Sequence, residues 1–190
     1  MPATSAFTHV ALLRGINVGG RNPVAMPELA ACFRDGGYGD ARTYIQSGNV
    51  LFTAKTRSGD PKLEAELSRM LEARFALELT VVVRSRDELA ATIAAAPPGH
   101  GSPDLRSDVY FLQYPLTAEE AFALLPDLRE GVDSAAMGPG ALYFSRVAAR
   151  ARETRITSFL GKPVFRRITV RNWRTTTRLL EMLDEESVPS

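Results

Sequence analysis

The sequence predicts an α+β protein of two tandem βαββαβ units with antiparallel sheets, plus a closing C-terminal helix. Three observations predict it. Apolar runs of strand length recur along the chain, each bounded by Gly, Pro or Asn. Amphipathic stretches with helix-start signals lie between them. The order strand, helix, strand, strand, helix, strand occurs twice, once on each side of a Pro- and Gly-rich segment.

HVALLR (His9 to Arg14) is an apolar run that ends at Gly15, and a polar, Gly-rich loop follows it. Pro27 suits the first turn of a helix with Leu29, Cys32 and Phe33 as its apolar positions, and Gly36-Gly37 stops it. RTYIQ (Arg42 to Gln46) and NVLFT (Asn49 to Thr53) are separated only by Ser47-Gly48, the spacing of a tight hairpin. Asp60 as N-cap and Pro61 at the first helical position open a second helix. Leu63, Leu67, Met70, Leu71 and Phe75 fall on one of its faces. LTVVVRS closes the unit, and the order is the ferredoxin-like pattern. Ser85 and Glu88 then form a capping box that starts a short helix.

Residues 97–107 hold three prolines, two glycines and no periodicity. This segment reads as the linker between an N-terminal subdomain, 1–96, and a C-terminal subdomain with its closing helix, 108–190. DVYFLQ (Asp108 to Gln113) is the first strand of the second unit. Thr117 and Glu120 cap a helix that Pro126 closes, a weak strand runs from Val132 to Ala136, and ALYFSR is a clear one. The pattern ends with a helix from about Glu153 to Leu160, the strand RRITV (Arg166 to Val170) and a helix starting near Trp173. At the turns corresponding to the first unit's polar loops stand YPLT and GPG, with no matching polar residues.

Composition narrows the function classes. The 190 residues are 45% apolar and 24% charged, an ordinary globular balance. No run of eighteen apolar residues is present, so no membrane span is expected, and the N-terminus lacks the basic region of a signal peptide. A lone cysteine, Cys32, fits a reducing compartment, so the cytoplasm is the expected location. The net charge of +1 conceals a polarity: Ser145 to Arg178 carries ten basic residues against the single acid Glu153, a net of +9. Such a segment can attract an anionic partner, although arginine-rich faces also serve as plain solvated surface.

Polar residues gather in three loop motifs. The first holds Arg14, Gly15, Asn17, Gly19 and Gly20, and the second holds Gln46, Ser47, Gly48 and Asn49. The third holds Arg171, Asn172, Trp173 and Thr175. In a βαββαβ unit the first two strands run parallel, so the loop after the first and the turn after the second share one end of the sheet. Backbone N–H groups in Gly-rich loops beside an arginine suit a phosphate or a carboxylate. Tight turns also need Gly and Asn, and a strand-end arginine can simply pair with a carboxylate. RGINVGG matches neither the P-loop nor the dinucleotide fingerprint.

The segments ALLRGINVGG, TYIQSGNVLF and TVRNWRTTTRLLEML resemble the signature blocks of the bacterial family known as domain of unknown function 1697, over Val10 to about Leu183. The resemblance implies paired ferredoxin-like subdomains and no established activity. It places the family's motif residues on the thirteen positions named above.

Metal chemistry has no candidate: His9 and His100 sit in no ligand motif, and no cofactor fingerprint is present. Cys32 reads as core, and no Gly-x-Ser-x-Gly elbow supports a serine hydrolase. Three functions remain. The first is an anion-binding module for a nucleotide, nucleic acid or phosphorylated small molecule, in which Trp173 between arginines could stack on a base. The same tryptophan, at the start of an amphipathic helix, also suits a core anchor. The second is an enzyme acting on phosphoesters or acyl phosphates through Arg14 with Asn17 or Asn49, similar in form to acylphosphatases but lacking their longer signature. The third is an interaction protein whose motifs brace the two subdomains.

Overall fold

A computed structural model describes residues 7–56 and 60–185. Two four-stranded antiparallel sheets form, each crossed by helices, and a helix closes the chain. The first sheet takes β1 (His9–Arg14), β2 (Arg42–Tyr44), β3 (Asn49–Phe52) and β4 (Thr80–Ser85), in the order β2-β3-β1-β4. The second takes β5 (Leu105–Leu112), β6 (Asp133–Gly138), β7 (Ala141–Val147) and β8 (Ile168–Asn172), in the matching order β6-β7-β5-β8. Each unit is thus ferredoxin-like, with its last strand at one edge.

Strand alternation divides the apolar residues among three cores. Ala11, Leu13, Val81 and Val83 face α1 (Met26–Asp35) and α2 (Pro61–Phe75), packing with Leu29, Phe33, Leu67 and Leu71. The opposite face, Val10, Leu12, Leu51 and Val82, packs against Val109, Phe111 and Tyr143 of the second sheet. Leu89 of α3 (Arg86–Ala94) and Leu179, Met182 and Leu183 of α6 (Trp173–Asp184) complete this central core. Tyr110, Leu112, Leu142 and Phe144 then build a third core with Ala121 of α4 (Ala118–Phe122) and Phe159 of α5 (Thr157–Leu160). Both sheets are therefore buried on two faces, and the middle layer joins the units. Among the described residues no helix is long and apolar enough to cross a membrane.

The helix starts follow their caps. Asp60 accepts from the N–H of Lys62 at the head of α2, Ser85 and Glu88 close a capping box, and so do Thr117 and Glu120. Four segments differ from the sequence reading. β2 stops at Tyr44 because Ile45 takes φ +50°, so the turn runs over four residues rather than two. The helix expected over 153–160 is broken: a 3-10 helix covers Ala148–Glu153, Thr154 is extended at ψ 145°, and α5 keeps only four residues. A second 3-10 helix, Pro163–Arg167, delays β8 to Ile168, whose run then continues to Asn172. β5 begins at Leu105, inside the segment read as linker.

Candidate functional site

The three motifs meet where the end of β1, the β2–β3 turn and the end of β8 converge. Gly48 allows the approach: its φ is +79°, and a Cβ there would stand 2.8 Å from Ile16 Cδ1 and 2.9 Å from Leu13 Cβ. The first loop is a small hairpin closed by the Val18–Arg21 bridge, with Gly19 and Gly20 both at positive φ as a two-residue hairpin turn needs. Asn17 ties it down. Its Nδ2 donates to the carbonyls of Val24 (3.0 Å) and Gln46 (3.1 Å), and its Oδ1 accepts from Val24 N–H at 2.9 Å.

Arg171 lies at the centre and comes from the other unit. Its side chain is buried, and every guanidinium nitrogen donates. Nε reaches Asn49 Oδ1 at 2.6 Å. One terminal nitrogen reaches Thr169 Oγ1 (3.1 Å) and Val170 O (2.9 Å). The other reaches Leu13 O (2.8 Å), Ser47 O (2.9 Å) and Gly48 O (3.3 Å). Asn49 is fully buried and positions that contact, its Nδ2 donating to Tyr44 O (2.9 Å) and Ser47 Oγ (3.1 Å). Burial lowers the Arg171 guanidinium to about 10, so it remains a cation at neutral pH.

Arg14 crosses in the opposite direction. It donates to Phe165 O (2.7 Å) and Ile168 O (2.9 Å), and its guanidinium carbon lies 4.4 Å from the centre of the Phe165 ring. Thr80 Oγ1 adds a bond to Arg166 O at 2.8 Å. The remaining motif residues serve α6 and its surroundings. Asn172 caps the helix by accepting from Thr175 N–H at 2.8 Å. Trp173 packs edge to face on His100 with ring centres 4.8 Å apart, and it fills the space beside Gly101. Gln46, Gly19 and Gly20 are left exposed at the rim.

A second buried arginine was not visible as a candidate in the sequence. Arg84, in β4, donates to Leu112 O (2.5 Å) and Gly140 O (2.7 Å) of the second sheet, and its guanidinium carbon is 4.6 Å from the Tyr114 ring centre. Its carboxylate partner is Glu64, 3.5 Å away and equally buried. Glu64 also accepts from Val83 N–H (2.9 Å) and, across the unit boundary, from Tyr114 N–H (2.8 Å). The signal that could have found the pair is a lone arginine in the apolar strand VVVRS and a glutamate between the apolar positions of α2.

The +9 segment is put to several uses. Arg171 is in the joint, while Arg146 pairs with Asp108, Arg150 with Glu153, and Arg178 with Glu181 and Glu185. Among the described residues no group of three or more His, Cys, Asp or Glu could hold a metal ion. Cys32 lies in the first core, and burial pushes its thiol up.

Comparison with known proteins agrees with this architecture. A family model described as a protein of unknown function, DUF1697, matches residues 7–143. The solved structure of a conserved bacterial protein from Streptococcus pneumoniae is similar at 27% identity, with a TM-score of 0.75, over 94% of this chain and 99% of that one. No curated protein matches the chain.

Proposed function

The chain belongs to the DUF1697 family, and we propose that it is an interaction module whose three motifs are the joint that makes two ferredoxin-like units one rigid body. The observation that carries this reading is the Arg171 guanidinium, which donates to six acceptors, all of them in the protein and four of them in the other unit. An anion at the same place would face the oxygens of Leu13, Ser47 and Gly48 and would have to take a cation from them. The arrangement also disfavours the catalytic alternative, since Arg14, Asn17 and Asn49 direct their polar atoms to three separate sets of partners. What the motifs leave open to an anionic ligand is the exposed hairpin tip at Gly19 and Gly20. A cytoplasmic setting suits the buried thiol of Cys32.

The test compares the melting of wild type, Arg14→Ala and Asn49→Ala, with and without phosphate and nucleotides. The joint reading expects both variants to melt below wild type under every condition. A ligand bound elsewhere would raise all three alike. Variants that melt with wild type, together with anions that raise wild type alone, would overturn the reading and return these residues to a ligand.

A further inference from the structure

The two units differ in how the outer face of the sheet is covered. In the first, α2 gives fifteen residues of helix. In the second, the corresponding stretch is broken into two 3-10 helices around the four-residue α5. At 1.5 Å per residue, α2 spans about 22 Å and α5 only about 6 Å. The end of the second sheet near the start of β5 is left open as a result, and a groove of about 900 Å³ lies there.

The chemistry of this groove is uneven. Its lining has four guanidinium groups against two carboxylates. Asp108 holds Arg146 at 3.0 Å, and Glu153 holds Arg150 at 2.7 Å. Arg106 and Arg152 are exposed and have no ion-pair partner among the described residues. Arg106 stands directly opposite Arg146 across β5 and β7, and Arg146 is already held by Asp108, so the Arg106 guanidinium keeps its charge for an anion. The floor is apolar. Ile156 and Phe165 are buried, and Leu160 is 44% exposed, although apolar side chains of that size are ordinarily covered. Tyr110 also lines the groove. Its side chain is 3% exposed, yet its hydroxyl makes no hydrogen bond to any described residue. Burial pushes that phenol up, so it remains a neutral donor.

We propose that this groove binds a small organic phosphate, its phosphoryl group between Arg106 and Arg152 and its apolar or aromatic body over Leu160 and Phe165. A dianion with three acceptor oxygens matches two unpaired guanidinium groups. The volume lies within the ordinary range for small-molecule sites, roughly 300–1,000 Å³. An apolar floor selects a phosphate that carries a body over phosphate alone. The Tyr110 hydroxyl offers a further donor from below.

Calorimetric titration of the full chain with phenyl phosphate, adenosine monophosphate and inorganic phosphate tests the proposal, with a short single-stranded RNA as a fourth probe. Phenyl phosphate or the nucleotide should bind more tightly than inorganic phosphate. Arg106→Ala and Arg152→Ala should each weaken that binding about tenfold while leaving the melting temperature unchanged, because neither side chain has a structural partner. Leu160→Ser should weaken phenyl phosphate and leave inorganic phosphate as it was. No heat from either organic phosphate at millimolar concentration, or unchanged affinity in both arginine variants, would overturn it. Binding confined to RNA, tightening with chain length, would overturn it too and replace the groove with an extended surface.

Discussion

Arg84 and Arg171 are equivalent residues of the two units, and each donates to carbonyl oxygens of the other unit's sheet. Arg84 stands opposite Val10 in the β1–β4 ladder, and Arg171 stands opposite Val109 in the β5–β8 ladder. Arg171 reaches Leu13 and Gly48, while Arg84 reaches Leu112 and Gly140. Those acceptors correspond as well: Leu13 N–H donates to Gly48 O, and Leu112 N–H donates to Gly140 O. Each arginine is followed by the N-cap residue of a helix, Ser85 or Asn172. The joint is a reciprocal exchange about a pseudo-twofold axis, which makes the motif-bearing end one of two related contacts.

Arg171→Ala should therefore lower stability by about 3 kcal/mol or more, because it strands Asn49 Oδ1 and several buried carbonyls at once. Arg171→Lys should recover less than half of that loss, since an ammonium has three donors for six acceptors and lacks the planar fork. Arg84→Ala should cost a similar amount by leaving Glu64 buried without its cation. Urea unfolding measures all three, and a loss below about 1 kcal/mol for Arg171→Ala would show that the joint is ornamental.

Glu64 makes the contact between units sensitive to pH. Burial is the largest influence on its carboxyl and pushes it up, the N–H groups of Val83 and Tyr114 and the Arg84 cation pull it back, and Glu88 pushes it up again. The result is about 7, against 4.5 for a free carboxyl. A folded value above the unfolded one means that stability from this group is fully present below pH 4.5 and is lost as pH rises through 7. The loss is on the order of 3 kcal/mol by pH 8. Wild type should show a lower urea midpoint at pH 8 than at pH 5, and Glu64→Gln should lose that decline. His9 and His100, both lowered by burial, act in the opposite sense at acid pH, so the difference between the two proteins isolates Glu64. An identical pH slope in both would refute the assignment.

The sequence made the double βαββαβ order legible because each strand and helix carries its own local signal. The caps at Asp60, Ser85 and Thr117 stand where those signals put them. The direction of the motif side chains was not legible. Arg171 and Asn49 are 122 positions apart, and nothing local distinguishes an arginine that turns to a ligand from one that turns to another unit's carbonyls. The Arg84 counterpart escaped because the GPG turn offers only its Gly140 backbone as an acceptor, and a backbone carbonyl leaves no mark on the sequence. The open groove beside Arg106 depends on a chain that turns extended at Thr154, inside the stretch from about Glu153 to Leu160 where the sequence predicts one unbroken helix.

Ile45 carries local strain that a single substitution can release. It is β-branched and sits at φ +50°, a conformation that costs an L-residue roughly 1–2 kcal/mol. Its side chain is 48% exposed, so little burial is lost on replacing it. Ile45→Gly removes the strain while adding roughly 0.5–1 kcal/mol of unfolded-state entropy, and Ile45→Asn tolerates the same φ without that addition. Both should raise the urea midpoint, Asn the more, with the slope of the transition unchanged. A lower midpoint in both variants would mean that the half-covered sec-butyl surface outweighs the backbone.

Trp173 reports on His100 directly. It is the only tryptophan in the chain, and its ring lies 4.8 Å from the imidazole at an interplanar angle of 89°. A protonated imidazole at that distance withdraws electron density from the excited indole, so indole fluorescence should fall as His100 gains its proton. Burial lowers the pKa of this histidine and Asp108 only partly opposes it, so the titration midpoint should lie below the ordinary 6.5. The surroundings support that direction. Nδ1 is held by Ser145 Oγ at 3.0 Å, and Nε2 is buried with no hydrogen-bond partner among the described residues, so a second proton on the ring would enter an unsolvated site. His100→Gln should leave the fluorescence flat across the same range. A midpoint at or above 6.5, or a titration that persists in the Gln variant, would show that another group quenches the indole.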